Sequence, residues 1–329
     1  MATTDLAPLV LNGDRRALAR AITLVESGRA DHRAEAVGLI EALRRAGRSA
    51  LRIGLSGTPG VGKSTFVETF GLMLVEQGLK VAVLAVDPSS ARNGGSILGD
   101  KTRMPLLARK AEAFIRPSPS QAQMGGVARR SAEAVTLCEA AGFDVILIET
   151  VGVGQSETLV AGICDLFILL IAPAGGDELQ GVKRGIMEIA DLILVNKADG
   201  DLAPTAIRTL GDYRGALHLL RRRPADPDGF PKALAVSALT GSGIAEAWAE
   251  MTALAAWRKA HGHWDARRAE QARGLFLGEV RAGLLAALEA PEIAPRLQDL
   301  SDEVASGRRS PEIAAAEMLM ILRRMQGHA

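Results

Sequence analysis

The residues with the most specific chemistry lie at 57–64, which read G-T-P-G-V-G-K-S and match G-x-x-x-x-G-K-[ST]. A short apolar run at 51–55 precedes them, and a stretch with helical apolar spacing at 64–77 follows. When a strand, a glycine loop and a helix occur in this order, backbone N–H groups and the helix N-terminus face a phosphate. We therefore predict a phosphate-binding loop in which Lys63 reaches the β- and γ-phosphates and Ser64 binds Mg²⁺. The predicted contacts are Gly57, Thr58, Pro59, Gly60, Val61, Gly62, Lys63, Ser64 and Thr65.

A second motif, N-K-A-D at 196–199, predicts which base the nucleotide carries. It follows an apolar strand pattern, and a carboxylate at Asp199 can accept hydrogen bonds from N1–H and the exocyclic amine of guanine. Adenine lacks that pair of donors, so such a site rejects it. A later strand pattern runs into S-A-L at 237–239, similar to the S-A-[LK] element of GTPases. We predict GTP as substrate and GDP as product, bound through Asn196, Lys197, Asp199, Ala235, Val236 and Ser237.

Acidic residues near strand ends are the candidates for magnesium binding and hydrolysis. Glu149 and Gly152 match the carboxylate and glycine of the D-x-x-G element of GTPases, which approach Mg²⁺ and the γ-phosphate respectively. Asp87 follows another strand pattern, and Asp100 lies in a glycine-rich segment, where a turn role is an equal alternative. The predicted metal ligands are Ser64, Asp87, Asp100 and Glu149, and the predicted catalytic residues are Lys63, Glu149 and Gly152.

Composition narrows the functional class. The chain has 329 residues, 48% of them hydrophobic, and a formal net charge of +1, which argues against nucleic acid as a partner. No apolar run reaches the length of a membrane span, and residues 1–6 do not resemble a signal peptide, so no membrane partner is expected. Cys138 and Cys164 lie in apolar patterns typical of buried, reduced thiols, which predicts a cytoplasmic location.

Strand and helix patterns alternate from residue 51 to about 248, with further strands at 81–86, 145–148, 166–171, 192–195 and 234–236. The alternation predicts an α/β fold of the P-loop NTPase type, with a mainly parallel sheet flanked by helices and ligands at the carboxyl ends of the strands. Helical patterns on either side predict three regions. These are an N-terminal helical extension at 1–50, a GTPase domain at 51–248, and a helical dimerisation region at 249–329.

Four motifs together resemble the MeaB/ArgK family, the GTPases associated with methylmalonyl-CoA mutase. They are the loop at 57–64, V-D-P-S-S at 86–90, E-T-V-G-V-G-Q-S-E at 149–157, and N-K-A-D at 196–199. The similarity extends over nearly the whole chain. It implies a GTP-hydrolysing chaperone that gates cofactor loading and protects an adenosylcobalamin-dependent methylmalonyl-CoA mutase. It also implies a further switch at 174–184, where the sequence alone fits a surface loop that enters a helix equally well. A homodimer is implied too, and the apolar stripe Leu277, Val280, Leu284 and Leu288 is either its seam or part of the core.

The sequence also predicts slow intrinsic hydrolysis. In Ras-like proteins a glutamine that orients water directly follows the glycine of D-x-x-G, but here Val153 occupies that position. Segments 92–108 and 153–157 are candidates to become ordered around GTP. Three alternatives stay open: a kinase that passes the γ-phosphoryl group to an acceptor, a scaffold that only binds GTP, and a nickel-insertion GTPase. The last of these usually carries His-rich or Cys-rich segments, which this sequence lacks.

Overall fold

A parallel β-sheet forms the centre of the protein, which is seen here in a computed structural model. Residues 6–86, 104–116, 127–150, 156–173 and 184–326 are described. The seven strands are arranged in the order β3-β2-β4-β1-β5-β6-β7, and every pair is parallel. Their bounds are β1 Leu51–Ser56, β2 Val81–Val86, β3 Ala113–Arg116, β4 Val145–Thr150, β5 Leu166–Ile171, β6 Leu192–Val195 and β7 Lys232–Ala235. The predicted parallel α/β fold is therefore confirmed.

The two edge strands of the sheet, β3 and β7, differ from the sequence prediction. The edge strand β3 was not predicted, because its four residues, A-F-I-R, are too short to show a clear periodicity. At the other edge, β7 begins two residues before the predicted 234–236 and ends at Ala235. Val236 still donates its backbone N–H to Val195 O at 2.8 Å, so the chain keeps its alignment beyond the last strand residue.

Helices surround the sheet and extend the chain at both ends. In the described residues they are α1 Leu6–Leu11, α2 Arg15–Glu26, α3 Ala30–Arg44, α4 Lys63–Glu76, α5 Val127–Ala140, α6 Ser156–Ala161, α7 Arg184–Ile189, α8 Ala203–His218, α9 Ile244–Ala260, α10 His263–Leu288, α11 Ala294–Ala305 and α12 Pro311–Gln326. Short 3₁₀ turns occupy Leu107–Arg109 and Gly200–Leu202. Contacts divide the chain into two compact units, Met1–Ala272 and Arg273–Ala329.

The helix that follows the glycine loop is held by a buried core. Phe66 and Phe70 of α4 stack with their ring centroids 5.4 Å apart. Met251 and Leu254 of α9 belong to the same buried cluster, together with residues from several of the strands. This packing fixes the start of α4, and therefore the loop before it, against the carboxyl edge of the sheet.

The N-terminal helices belong to the same compact unit as the sheet. Asp14 caps α2, since its Oδ1 accepts hydrogen bonds from the backbone N–H groups of Arg16 and Ala17, both at 2.8 Å. The buried face of α2 includes Leu18 and Ile22, and both α2 and α3 contact α5. The extension at 1–50 thus packs on the side of the sheet where β2 and β3 lie.

A buried ionic network lies at the amino edge of the sheet, opposite the glycine loop. Asp165 and Asp191 directly precede β5 and β6, and each is at most 1% exposed. Arg258 of α9 donates to Asp191 at 2.6 Å and to Asp226 at 2.5 Å, while Arg268 of α10 donates to Asp165 at 2.7 Å. The network ties α9 and the first part of α10 to the starts of the strands.

The ion pairs keep Asp191 charged despite its burial. Burial alone raises the pKa of Asp191, but the charge and hydrogen bonds of Arg258 and the charges of Arg267 and Arg223 outweigh it, so the pKa lies below its ordinary value. The stabilisation from Asp191 is therefore fully present above the ordinary carboxyl pKa. It is lost as the pH falls through the folded-state pKa.

Replacing Arg258 by Ala should lower the free energy of unfolding by about 3–5 kcal/mol, because it leaves Asp191 charged, buried and poorly compensated. Urea denaturation at neutral pH measures the loss. Arg222→Ala is the matched control, since it also removes an arginine paired with an aspartate, Asp228, but that pair is exposed to solvent and should contribute little. Equal losses in the two variants would show that the buried network does not stabilise the fold.

Candidate functional site

The glycine loop has a backbone that only glycine adopts easily. Gly57, Gly60 and Gly62 have φ angles of 156°, 82° and 91°. A Cβ atom on Gly57 would lie 2.4 Å from Leu170 O, and one on Gly62 would lie 2.8 Å from Asn196 Nδ2. The glycines at 57 and 62 are therefore required both by backbone conformation and by close neighbours, and Gly62 leads directly into α4.

The predicted phosphate ligands lie together at the start of α4. Lys63 donates from Nζ to Gly57 O at 2.6 Å and to Thr58 O at 3.3 Å, which holds its ammonium group against the loop. Ser64 is the second residue of the helix and is half-buried. The first turn of α4 has no acidic residue, so its N-terminus presents positive potential to the loop.

Asn196 joins the predicted base loop to the glycine loop. Its side chain is 1% exposed, and its amide makes two hydrogen bonds. Nδ2 donates to Val61 O at 2.9 Å, and Oδ1 accepts from the backbone N–H of Ala238, also at 2.9 Å. Lys197 has a positive φ of 57° and donates from Nζ to Gly60 O at 2.7 Å. Loops that follow β1, β6 and β7 are thereby held as one surface.

Residues of the base loop itself hold the carboxylate of Asp199 in place. Ser237 donates its hydroxyl to Asp199 Oδ2, and Ser237 Oγ accepts from the backbone N–H of Thr240 at 3.0 Å. The backbone N–H of Ala198 bonds to Val236 O at 3.1 Å. Asp199 is half-buried and Ser237 is fully buried, so the carboxylate is held before any ligand arrives.

The structure adds residues to the predicted base loop. Ala238, the middle residue of the predicted S-A-L element, and Thr240, which was not predicted, contribute backbone N–H groups that hold Asn196 and Ser237. Gly241 and Gly243 have positive φ angles of 80° and 74° and close the same turn. The signal was present in the sequence, because S-A-L-T-G-S-G at 237–243 places two glycines directly after the predicted element.

Glu149 lies beside the glycine loop. It is the fifth residue of β4, is 7% exposed, and is in register with Leu55 of β1 and Ala85 of β2. Its neighbour Thr150 donates a hydrogen bond to Ser56 Oγ at 3.1 Å, at the point where β1 enters the loop. This register places Glu149 next to the last residues of β1, directly before the glycine loop.

Several predicted residues fall outside the described ranges. They are Asp87, Asp100 and Gly152, together with most of the segments 92–108, 153–157 and 174–184. In the described parts of the chain, no group of three or more His, Cys, Asp or Glu side chains is placed to hold a metal ion. No helix there is long and apolar enough to cross a membrane.

These loops on one edge of a parallel sheet define a P-loop GTPase. The crystal structure of a protein named LAO/AO transport system kinase has a similar fold, with a TM-score of 0.76 and 36% identity over 98% of this chain and 97% of that chain. The fold class predicted from sequence is thus shared with a protein of related sequence.

The sequence comparisons identify the family. The protein-family model described as Methylmalonyl Co-A mutase-associated GTPase MeaB matches residues 18–292 of this chain. The mouse protein named methylmalonic aciduria type A homolog, mitochondrial, is 47% identical over 321 residues, which cover 94% of this chain and 77% of that protein. GTPase ArgK of Escherichia coli is 53% identical over 236 residues, 72% of this chain and 71% of that protein. The chain belongs to the MeaB family of GTPases.

Replacing Asp199 by Asn should shift binding from GDP to XDP. The amide offers a donor where the carboxylate accepted hydrogen bonds, and xanthine presents a carbonyl oxygen in place of the exocyclic amine. Titration of the variant with both nucleotides measures the shift. Asp201→Asn is the control, because it makes the same change on an exposed carboxylate two residues away. Unchanged GDP affinity in Asp199→Asn would remove Asp199 from the base site.

Proposed function

We propose that this GTPase is a chaperone for an adenosylcobalamin-dependent methylmalonyl-CoA mutase, gating cofactor loading and protecting the enzyme from inactivation. The proposal is supported by the family description, which names a mutase-associated GTPase, and by the match over residues 18–292. One observation supports the binding of a nucleotide in this proposal. Asn196 makes two hydrogen bonds that hold the glycine loop and the base loop together.

In this proposal the described loops bind the nucleotide in two parts. The phosphates lie over the loop at 57–65, where backbone N–H groups, the N-terminus of α4 and Lys63 offset their charge. The guanine lies between Lys197 and the turn that begins at Ser237, with Asp199 accepting from N1–H and the exocyclic amine. The geometry in favour is that Ser237 already fixes the Asp199 carboxylate.

The side-chain oxygen atoms of the candidate site are of the kind that binds Mg²⁺. Mg²⁺ prefers oxygen ligands and is usually held by a few side-chain oxygens together with substrate phosphates. Ser64 supplies a hydroxyl at the start of α4, and Glu149 supplies a nearly buried carboxylate beside the loop. When bound, the ion would neutralise charge that develops on the β- and γ-phosphates. Asp87 and Asp100, which lie outside the described residues, are proposed as further ligands, and the Gly152 N–H is proposed to contact the γ-phosphate.

Glu149→Ala should reduce the rate of GTP hydrolysis more than the affinity for GTP, because its proposed role concerns the metal ion and the attacking water. Lys63→Ala should reduce both, because its ammonium contacts charge that is present before and during the reaction. Calorimetric titration beside single-turnover hydrolysis separates the two effects. Equal losses of rate and affinity in Glu149→Ala would reduce Glu149 to a residue that only shapes the site.

Slow intrinsic hydrolysis is part of the proposal, because Val153 occupies the position where a glutamine orients water in Ras-like proteins. A partner that orders the site would then accelerate the reaction. Because coupling between binding equilibria is reciprocal, GTP should also change the affinity of this protein for the mutase. The segment at 174–184 is proposed as a contact with that partner.

The decisive experiment measures hydrolysis of GTP labelled in the γ-phosphate, with and without an adenosylcobalamin-dependent methylmalonyl-CoA mutase. We expect a low basal rate, a higher rate with the mutase, and all label in inorganic phosphate. Absence of stimulation would contradict the chaperone function. Label on a protein or small molecule would instead support a phosphotransferase, the class of activity that the name LAO/AO transport system kinase gives to that related protein.

We also propose a homodimer and a reducing compartment. The second compact unit exposes apolar side chains on one helix, α10, with Phe276, Leu277, Val280 and Leu284 each at least 44% exposed. The mass of the protein in solution tests the dimer, and a monomer would contradict it. Cys138 and Cys164 are both free and buried, and the proposed cytoplasmic location is consistent with these reduced thiols. Burial raises the pKa of the Cys164 thiol to about 12 and raises that of Cys138 as well, so both stay protonated.

A further inference from the structure

Thr69 lies on α4, the helix that begins at Lys63 directly after the glycine loop. It is the seventh residue of that helix, about 9 Å from the start of the helix at a rise of 1.5 Å per residue. Phe66 and Phe70 of the same helix are fully buried in the core, whereas Thr69 is half-buried. Thr69 is therefore close in sequence to the predicted phosphate ligands but lies outside the glycine loop.

The hydroxyl of Thr69 bonds outside its own helix. A threonine within a helix commonly donates to the carbonyl oxygen of the residue four positions earlier. Thr136 of α5 does so, with Oγ1 at 3.1 Å from Ala132 O. Thr69 Oγ1 instead donates to Ala238 O at 2.7 Å, across 169 positions of the chain. This bond joins α4 to the turn at 237–243, which belongs to the base loop.

Ala238 is held at both polar groups of its backbone. Its N–H donates to Asn196 Oδ1 at 2.9 Å, and its carbonyl oxygen accepts from Thr69. The residue is 4% exposed, and a buried carbonyl group that loses its hydrogen-bond partner destabilises the arrangement that buries it. Both partners are tied to the glycine loop, Asn196 through Val61 O and Thr69 through the helix that follows the loop.

The neighbours of Ala238 hold the predicted contact with the base. Ser237, directly before it, donates to Asp199 Oδ2 and accepts from the backbone N–H of Thr240. The backbone N–H of Gly241 donates to Ser237 O at 2.9 Å and so closes the turn. A shift of the Ala238 carbonyl group would therefore move the turn that holds the Asp199 carboxylate.

The methyl group of Thr69 faces the same turn. A Cβ atom on Gly241 would lie 4.0 Å from Thr69 Cγ2, which is a van der Waals distance. The hydroxyl and the methyl group can be removed separately. Thr69→Val keeps the branched shape of the side chain and removes the hydroxyl, whereas Thr69→Ser keeps the hydroxyl and removes the methyl group.

We propose that Thr69 is a positioning residue for guanine recognition, which holds the turn at 237–243 so that the Asp199 carboxylate stays aligned with the base. This role rests on the proposed function, in which Asp199 accepts hydrogen bonds from guanine. Thr69 acts through Ala238 and Ser237 and needs no contact with the nucleotide. Because the backbone and the packing of α4 fix its place, loss of the hydroxyl releases the turn and leaves the glycine loop unchanged.

The affinities of the intact chain for GDP, IDP and pyrophosphate, each with Mg²⁺, test this role. IDP lacks the exocyclic amine that Asp199 is proposed to bind, and pyrophosphate lacks the base. Thr69→Val should bind GDP about fivefold more weakly than the wild type, the loss expected for one hydrogen bond. It should also prefer GDP over IDP by a smaller factor, because the Asp199 carboxylate is less well aligned. Its affinity for pyrophosphate should equal that of the wild type.

Two further variants separate the hydroxyl of Thr69 from general effects on the fold. Thr69→Ser should keep the wild-type affinities for GDP and IDP, because it keeps the hydrogen-bond donor. Thr136→Val is the matched control, since it removes a helical hydroxyl that bonds to Ala132 O of its own helix. The control should leave the affinities for all of these ligands unchanged.

Equal losses of GDP and pyrophosphate affinity in Thr69→Val would overturn the proposal, because the hydroxyl would then support α4 and the glycine loop. An unchanged preference for GDP over IDP would overturn it as well, as would a loss in Thr69→Ser equal to that in Thr69→Val. Failure of the proposed function gives a different result. A wild type that binds GDP no more tightly than IDP would contradict the base site itself, and the positioning role with it.

Discussion

The amide of Asn196 is the constraint on which the candidate site depends. One buried side chain satisfies Val61 O of the glycine loop and the backbone N–H of Ala238 in the base loop. These loops follow strands that are not neighbours, because β5 lies between β1 and β6. A hydrogen bond in a buried site contributes about 0.5–1.5 kcal/mol, and leaving its partner unsatisfied costs about 1–3 kcal/mol. The fixed spacing between the glycine loop and the base loop therefore rests on this residue, together with the bond from Lys197 Nζ to Gly60 O.

The two edges of the sheet are stabilised in different ways. The amino edge carries charged side chains that are buried and paired, with Asp191 and Arg258 at its centre. The carboxyl edge is made from backbone, where Gly57 and Gly62 allow close approach and Lys197 adopts a positive φ. Paired charges thus hold the starts of the strands, and hydrogen bonds such as those of Asn196 hold the loops that follow them. This division suits a protein whose proposed work is to report its nucleotide state to a partner.

Local patterns predicted most of the fold, and the assignment of the nucleotide to the glycine loop and the base loop stays a prediction. The strands at 81–86, 166–171 and 192–195 have the predicted bounds, because each is an apolar run between clear breaks. What the sequence could not supply were contacts between distant residues. The role of Asn196 depends on Val61, 135 positions away, and Arg258 pairs with Asp191, 67 positions away. The edge strand β3 was missed because four residues carry too little periodicity.

The central claim is that Asn196 holds the phosphate and base loops as one site, and pyrophosphate tests it because that ligand contacts only the phosphate loop. The measurement is the affinity of wild type and Asn196→Ala for GDP and for pyrophosphate, each with Mg²⁺. The account predicts that the variant binds both ligands at least about tenfold more weakly, since both loops lose a hydrogen-bond partner. Unchanged pyrophosphate affinity beside weakened GDP binding would contradict it, because Asn196 would then act at the base alone.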